Sequence, residues 1–321
     1  MSSATSPLPS VSAPPSLHPV PSVEAPDAGP NRGLLLLCLF ALYVVWGSTY
    51  LAIRWVLEDF PPFFMAGLRF LLAGTLLFGF LRLRGHVMPQ RRQWGAGVLT
   101  GFLLLAVGNG AVVFAQQWVP SSVAALVVGS MPLWMALFSG LFGQWPGRME
   151  RWGLALGFCG ILLLNLGGEL RGNLWATFAL LLSPVSWAFG STWMKRLPMP
   201  QGLMSTAVQM LGGGVVMLGL SFVLGEHMKG MPGPRALGAF VYLLVFGSLV
   251  AFSAYGYLLR HARPSVATSY AYVNPVVAVL LGVFLGGESL SVWGFVAMGA
   301  ILVAVMLLTL RASPTPAPRR G

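Results

Sequence analysis

Charge is almost excluded from the apolar runs of this chain. Between residues 34 and 310, Lys, Arg, Asp and Glu fall in short breaks or at run edges, and Arg69 alone stands inside a run. Segregation this complete means that lipid is the solvent over most of the surface, so the breaks read as membrane–water crossings. Composition agrees: 8% of residues are charged, where a soluble domain carries roughly a quarter. The net charge of +11 does not point to nucleic acid, because the basic residues are scattered between runs and form no basic face. Cys38 and Cys159 lie within runs without CxxC spacing and read as small core residues. His18, His86, His227 and His261 fall in a tail and three separate loops, so no metal constellation is visible, and no cofactor is expected.

A bilayer-crossing helix needs about 20 mostly apolar residues. Reading between the breaks predicts ten spans, near 34–53, 63–81, 94–116, 121–142, 152–168, 173–193, 203–224, 236–258, 265–285 and 291–310. The third and fourth are separated by Trp118-Val119-Pro120-Ser121-Ser122, a tight turn with a helix start. Basic residues favour the cytoplasm. With the N-terminus inside, 14 of the 19 basic residues fall in inner segments, four (Arg54, Arg171, Lys229 and Arg235) in outer ones, and Arg69 is the remainder. Both termini are therefore expected to be cytoplasmic. Residues 1–31, rich in Pro, Ser and Ala with neither Lys nor Arg, read as a disordered tail and not a signal peptide, and 312–321 have the same character.

The two halves echo each other. Gly47-Ser48-Thr49-Tyr50 matches Gly190-Ser191-Thr192-Trp193, and Pro120-Ser121-Ser122-Val123-Ala124 matches Pro264-Ser265-Val266-Ala267. Pro132 matches Pro275, and Trp152-Gly153 matches Trp293-Gly294. Four matches in one order at near-constant spacing indicate a duplication, with copies at 32–170 and 171–311. Each copy holds five spans, an odd number, so the second enters the membrane from the opposite side. The expected fold is all-α and integral to the membrane, with ten transmembrane helices as two inverted five-helix repeats.

Trp46-Gly47-Ser48-Thr49, the run Gly67-Leu68-Arg69-Phe70-Leu71-Leu72-Ala73-Gly74 and the block from Pro264 to Glu288 resemble the EamA-type permeases of the drug/metabolite transporter superfamily. The resemblance spans about 34 to 310. It implies a ten-helix bacterial inner-membrane carrier, typically an exporter of amino acids or other small metabolites, and leaves the cargo open. One departure is visible: the matching region of the second half, Val208-Gln209-Met210, has no counterpart of Arg69.

Candidate substrate-binding residues follow from polarity at bilayer depth. Pro132 and Pro275 sit near mid-span and free the carbonyls of Val128 and Ala271, either lining a site or only kinking two helices. Asn109, Ser130, Tyr270, Tyr272 and Asn274 offer hydrogen bonds without charge, to a substrate or to neighbouring helices. Trp46 and Trp187 either wall a cavity or belong to an interfacial belt. Arg69 either holds a substrate carboxylate or locks helices through backbone contacts. Small-xxx-small pairs such as Gly97/Gly101, Gly153/Gly157 and Gly282/Gly286 read as close packing within one subunit.

No carboxylate is clearly mid-membrane and no Walker-type loop is present, so a secondary carrier is expected, with proton coupling through an edge carboxylate left open. The expected partners are a small-molecule substrate and membrane lipid, without nucleic acid, in a monomer or homodimer. Two other readings stand beside the carrier. An integral-membrane enzyme on a lipid-linked substrate would need a cluster of reactive side chains at one face, and the eight acids are scattered. A channel or structural component would not explain the duplication.

Overall fold

The computed structural model describes residues 32–309 apart from 142, 144, 146, 167–169, 171–172, 229, 263–265, 267 and 268. Both tails and the expected start of span nine at Pro264-Ser265 thus lie outside the described residues. The helices, with α4 interrupted at Gly129-Ser130, are α1 (Arg32–Val56), α2 (Pro62–Leu83), α3 (Arg91–Ala115), α4 (Ser121–Leu141) and α5 (Arg148–Leu166). They continue with α6 (Leu174–Met194), α7 (Leu203–Val223), α8 (Pro234–Leu258), α9 (Tyr270–Phe284) and α10 (Val292–Thr309). Among the described residues, seven of these are long and apolar enough to cross a membrane: α1–α4 and α6–α8. The others carry shorter apolar stretches, at Arg151–Leu164, Val273–Phe284 and Val292–Leu307. The ten-span count and the inverted repeat go further than this and are taken up as a proposal below.

Turn chemistry sets the boundaries. Gly85, Gly143, Gly202, Gly225 and Gly287, each between two helices, have positive φ, the conformation that only glycine adopts at little cost. Pro62 and Pro234 open α2 and α8, where a missing N–H is no loss. At the end of the bundle that bears the α1–α2 loop, orphan helix N–H groups find side-chain acceptors. Glu226 accepts from Phe63 and Phe64 N at 3.3 and 2.8 Å, Asp59 from Gly233 N at 2.7 Å, and Asn173 from Trp175 and Ala176 N at 2.9 and 3.1 Å. Carboxylates suit these positions because the N-terminal end of a helix is the positive end of its dipole.

Close packing uses small residues, because lipid offers helices no hydrophobic reason to associate. α2 and α7 run antiparallel with their backbones almost touching. A Cβ on Gly67 would stand 2.7 Å from Leu218 N, and one on Gly214 would stand 2.7 Å from Leu71 N. Gly97 and Gly101 of α3 abut Val208 and Gln209 of α7 in the same way, which is the intra-subunit packing expected of that pair. α5 and α10 form another closely packed antiparallel pair, with Gly160 against Ile301 and Ala297.

The remaining contacts place α1 against α8 and α9, and α6 against α3 and α4, while α4 meets α9 at the centre. Exchanging α1–α5 for α6–α10 turns most of these pairs into one another. The α1–α4 and α4–α10 contacts have no comparable mates.

The α2–α7 crossing should be intolerant of any side chain. Gly67→Ala is expected to cost about 1–3 kcal/mol through forced backbone separation. Gly79→Ala on the same helix, where a Cβ meets nothing within 4 Å, should be neutral or gain up to ~1 kcal/mol of helix propensity. Thermal unfolding of the detergent-solubilised variants checks both; equal losses would refute the crossing.

Candidate functional site

The cavity is built from irregular backbone. α1, α3 and α8 each contain a π-helical stretch, at Ala41–Trp46, Phe102–Asn109 and Leu243–Val250. Such widened turns leave carbonyls without their usual partners and tend to mark functional positions. α6 carries Pro184 inside the helix, and α4 is interrupted at Gly129-Ser130. These breaks converge on a central cavity of about 100 Å³. Its walls include Trp46, Thr49 and Tyr50 of α1, Arg69 of α2, and Gly108 and Asn109 of α3. α4 adds Val128, Gly129 and Met131, α6 adds Ser183 and Trp187, α8 adds Phe252, and α9 adds Tyr270, Ala271, Asn274 and Pro275.

Arg69 is 2% exposed, and its Nε donates to Ser248 Oγ at 2.8 Å. The widened turn of α8 makes this possible, since Ser248 Oγ in turn donates to Leu243 O, five residues back, at 3.1 Å. The same turn presents Gly247 O to Trp46 Nε1 at 3.3 Å. Nη1 of Arg69 is buried with no hydrogen-bond partner, and among the described residues the guanidinium makes no ion pair. Asn109 Oδ1 is likewise buried and unpartnered. One donor and one acceptor therefore stand unsatisfied in the wall, and each such group costs about 1–3 kcal/mol if nothing binds it. Around them Trp46 packs edge-on to Phe252 and Tyr270, with centroids 5.2 and 5.0 Å apart.

Seven of the ten sequence candidates therefore line the cavity: Trp46, Arg69, Asn109, Trp187, Tyr270, Asn274 and Pro275. Ser130 and Pro132 do not. Ser130 is fully buried, and its hydroxyl is spent on Val127 O at 2.6 Å. α4 breaks ahead of Pro132, so Val128 and Gly129 form the wall instead, and Gly129 lies against the Pro275 ring. Tyr272 stands in α9, with its side chain outside those described. Arg69 is fixed to a neighbouring helix through the Ser248 hydroxyl and not through backbone, and its Nη1 stands buried without a hydrogen-bond partner. Thr49, Tyr50, Ser183 and Phe252 were not anticipated, although Thr49 and Tyr50 sit in the repeated Gly-Ser-Thr motif and Ser183 adjoins Pro184.

Toward the α1–α2 end, Glu288 ties three elements together. Its side chain is 1% exposed, whereas that of its ion-pair partner Arg54 is 42% exposed. It accepts from Ser121 N and Oγ at 2.8 and 2.7 Å and from Ser122 N at 3.0 Å, capping α4. Burial acts to raise the carboxyl pKa, but the hydrogen bonds from Ser122 and Ser121 outweigh it and hold Glu288 below the usual carboxylate range. Glu288 thus fastens α1 and α4 to the α9–α10 loop.

Long apolar helices around one central cavity define the class, a multi-pass membrane protein. The chain belongs to the EamA-like transporter family, whose model it matches twice, over residues 31–166 and 174–310. It is 50% identical to the inner membrane transporter YedA of Escherichia coli over 286 residues, covering 87% of this chain and 94% of that protein. It is 30% identical to the protein PecM of Dickeya dadantii, over 84% of this chain and 88% of that one. A solved crystal structure shares the fold at a TM-score of 0.61 and 22% identity, covering 87% of this chain and 98% of that chain. The protein is a membrane transporter.

The depressed Glu288 carboxyl contributes stability that is full above its ordinary value near 4.5 and lost as pH falls through its lowered value in the folded protein. Glu288→Gln should cost about 1–3 kcal/mol at neutral pH, and the gap to the parent should close as the pH drops below ~4. Melting curves of both proteins across pH 3–7 check this; a gap independent of pH would refute the charged latch.

Proposed function

We propose that this protein is a secondary carrier that moves a small polar metabolite across the inner membrane. It works by alternating access between two inverted five-helix repeats, with ten spans, both termini cytoplasmic, and export as its working direction. The observation that carries this reading is the cavity's position. Its walls come from α1–α4 on one side and α6, α8 and α9 on the other, so rocking one half against the other would expose it to either face. The double family match supports the repeat, as does a packing pattern that mostly survives exchange of the halves. The Glu288 latch joins elements from both halves and would have to open for access from the α1–α2 end. Its carboxylate is also the place where proton coupling would enter.

Accessibility tests the mechanism. In a background with Cys38 and Cys159 replaced, a cysteine at Ser183 should react with a membrane-impermeant thiol reagent in both right-side-out and inside-out vesicles. Glu288→Gln should raise labelling severalfold from the face bearing the α1–α2 loop. Labelling from one face only, unchanged by the latch variant, would remove alternating access.

A further inference from the structure

We propose that the cargo is a small monoanion, a single carboxylate with a neighbouring hydroxyl or amide donor on an apolar body, and not a zwitterion. This rests on the carrier reading above and names the solute that the cavity fits. Among the described residues, Arg69 is the one charged side chain lining the cavity, and no Asp or Glu lines it. An arginine does not escape its charge by losing a proton, so with only the Phe70 ring at 4.5 Å against the guanidinium an empty site leaves a cation without a counter-charge at bilayer depth, which is costly. A carboxylate brought to the unpartnered Nη1 removes that cost through a charge-assisted hydrogen bond, about twice as strong as a neutral one. With Nε held on Ser248, the guanidinium is oriented before the solute arrives.

The second unpartnered atom specifies the rest. Asn109 Oδ1 is an acceptor awaiting a donor, and a hydroxyl or amide N–H supplies one without adding charge. An ammonium would also donate, but it would restore the net charge that the carboxylate had just cancelled, and no lining acid would balance it. Trp46, Phe252 and Tyr270 supply faces and edges for an apolar or aromatic body.

Three matched probe series decide the matter on the unmodified, detergent-purified protein. Hydroxy acids (lactate to 3-phenyllactate) are compared with the amino acids of the same side chains (alanine to phenylalanine) and with the neutral hydroxy amides. A ligand bound only by the folded state raises the melting temperature in proportion to its occupancy. At least one hydroxy acid should stabilise at concentrations about tenfold or more below its amino acid and amide partners. Amino acids equal to or better than hydroxy acids would overturn the proposal, as would equally effective amides or silence across all three series. Arg69→Gln should abolish the hydroxy-acid response and Arg69→Lys should keep part of it. Asn109→Ala should weaken it while preserving the preference for anions. Two-faced labelling at Ser183 with a zwitterion preference would sink this inference and leave the carrier standing. The reverse pattern would leave an anion-binding protein that does not alternate.

Discussion

A guanidinium buried in a helix bundle, with lipid outside and no acid beside it among the described residues, is the constraint on which the rest of this structure turns. Arg69 cannot neutralise itself, and water does not reach it freely at 2% exposure. The fold answers with partial satisfaction. One nitrogen is bonded to Ser248, and another is buried without a partner in a residue that lines the cavity, where a bound solute would complete the set. Ser248 can accept because the helix carrying it is widened over Leu243–Val250 and its own hydroxyl hydrogen is occupied by Leu243 O. An ordinary α-helical turn would have aimed the residue elsewhere. The widened turn of the helix and the cost of a buried charge are therefore linked features of one site.

The same economy governs the helix ends. Acids are few, and Asp59, Glu226 and Glu288 all accept backbone N–H groups at helix starts on one end of the bundle. Glu288 does most, because it caps α4 and holds Arg54 while nearly sealed from solvent. A carboxylate so placed serves as a fastener when charged and releases its partners when protonated. That property suits an element joining parts that move against each other in the proposed mechanism. The glycine crossings behave oppositely: α2 and α7 approach until their backbones meet, and nothing there can yield.

Much of the fold was legible in the sequence. In lipid every break in an apolar run must be a surface crossing, so charge position alone delimits the helices. The seven long spans begin and end within a few residues of those breaks. Arg69, Asn109, Trp46 and Tyr270 could be singled out because polar or amphipathic groups at bilayer depth are expensive and need a reason. Proline was a less reliable guide. Pro275 lines the cavity, but at Pro132 the helix breaks ahead of the ring, at Gly129-Ser130, which a rule written for uninterrupted helices does not foresee.

What the sequence by itself determined was the solvent, the number of apolar runs and the presence of one charge too deep to be incidental. These are local or periodic properties, readable because bilayer thickness and hydration energy act on each segment separately. Tertiary structure alone decided that Arg69 is half-satisfied, that Ser248 is the residue that holds it, and that Glu288 joins α1 to α4. Those pairings link residues 179 and 167 positions apart through helices whose rotation is fixed by packing on several neighbours at once, and no single segment records that rotation.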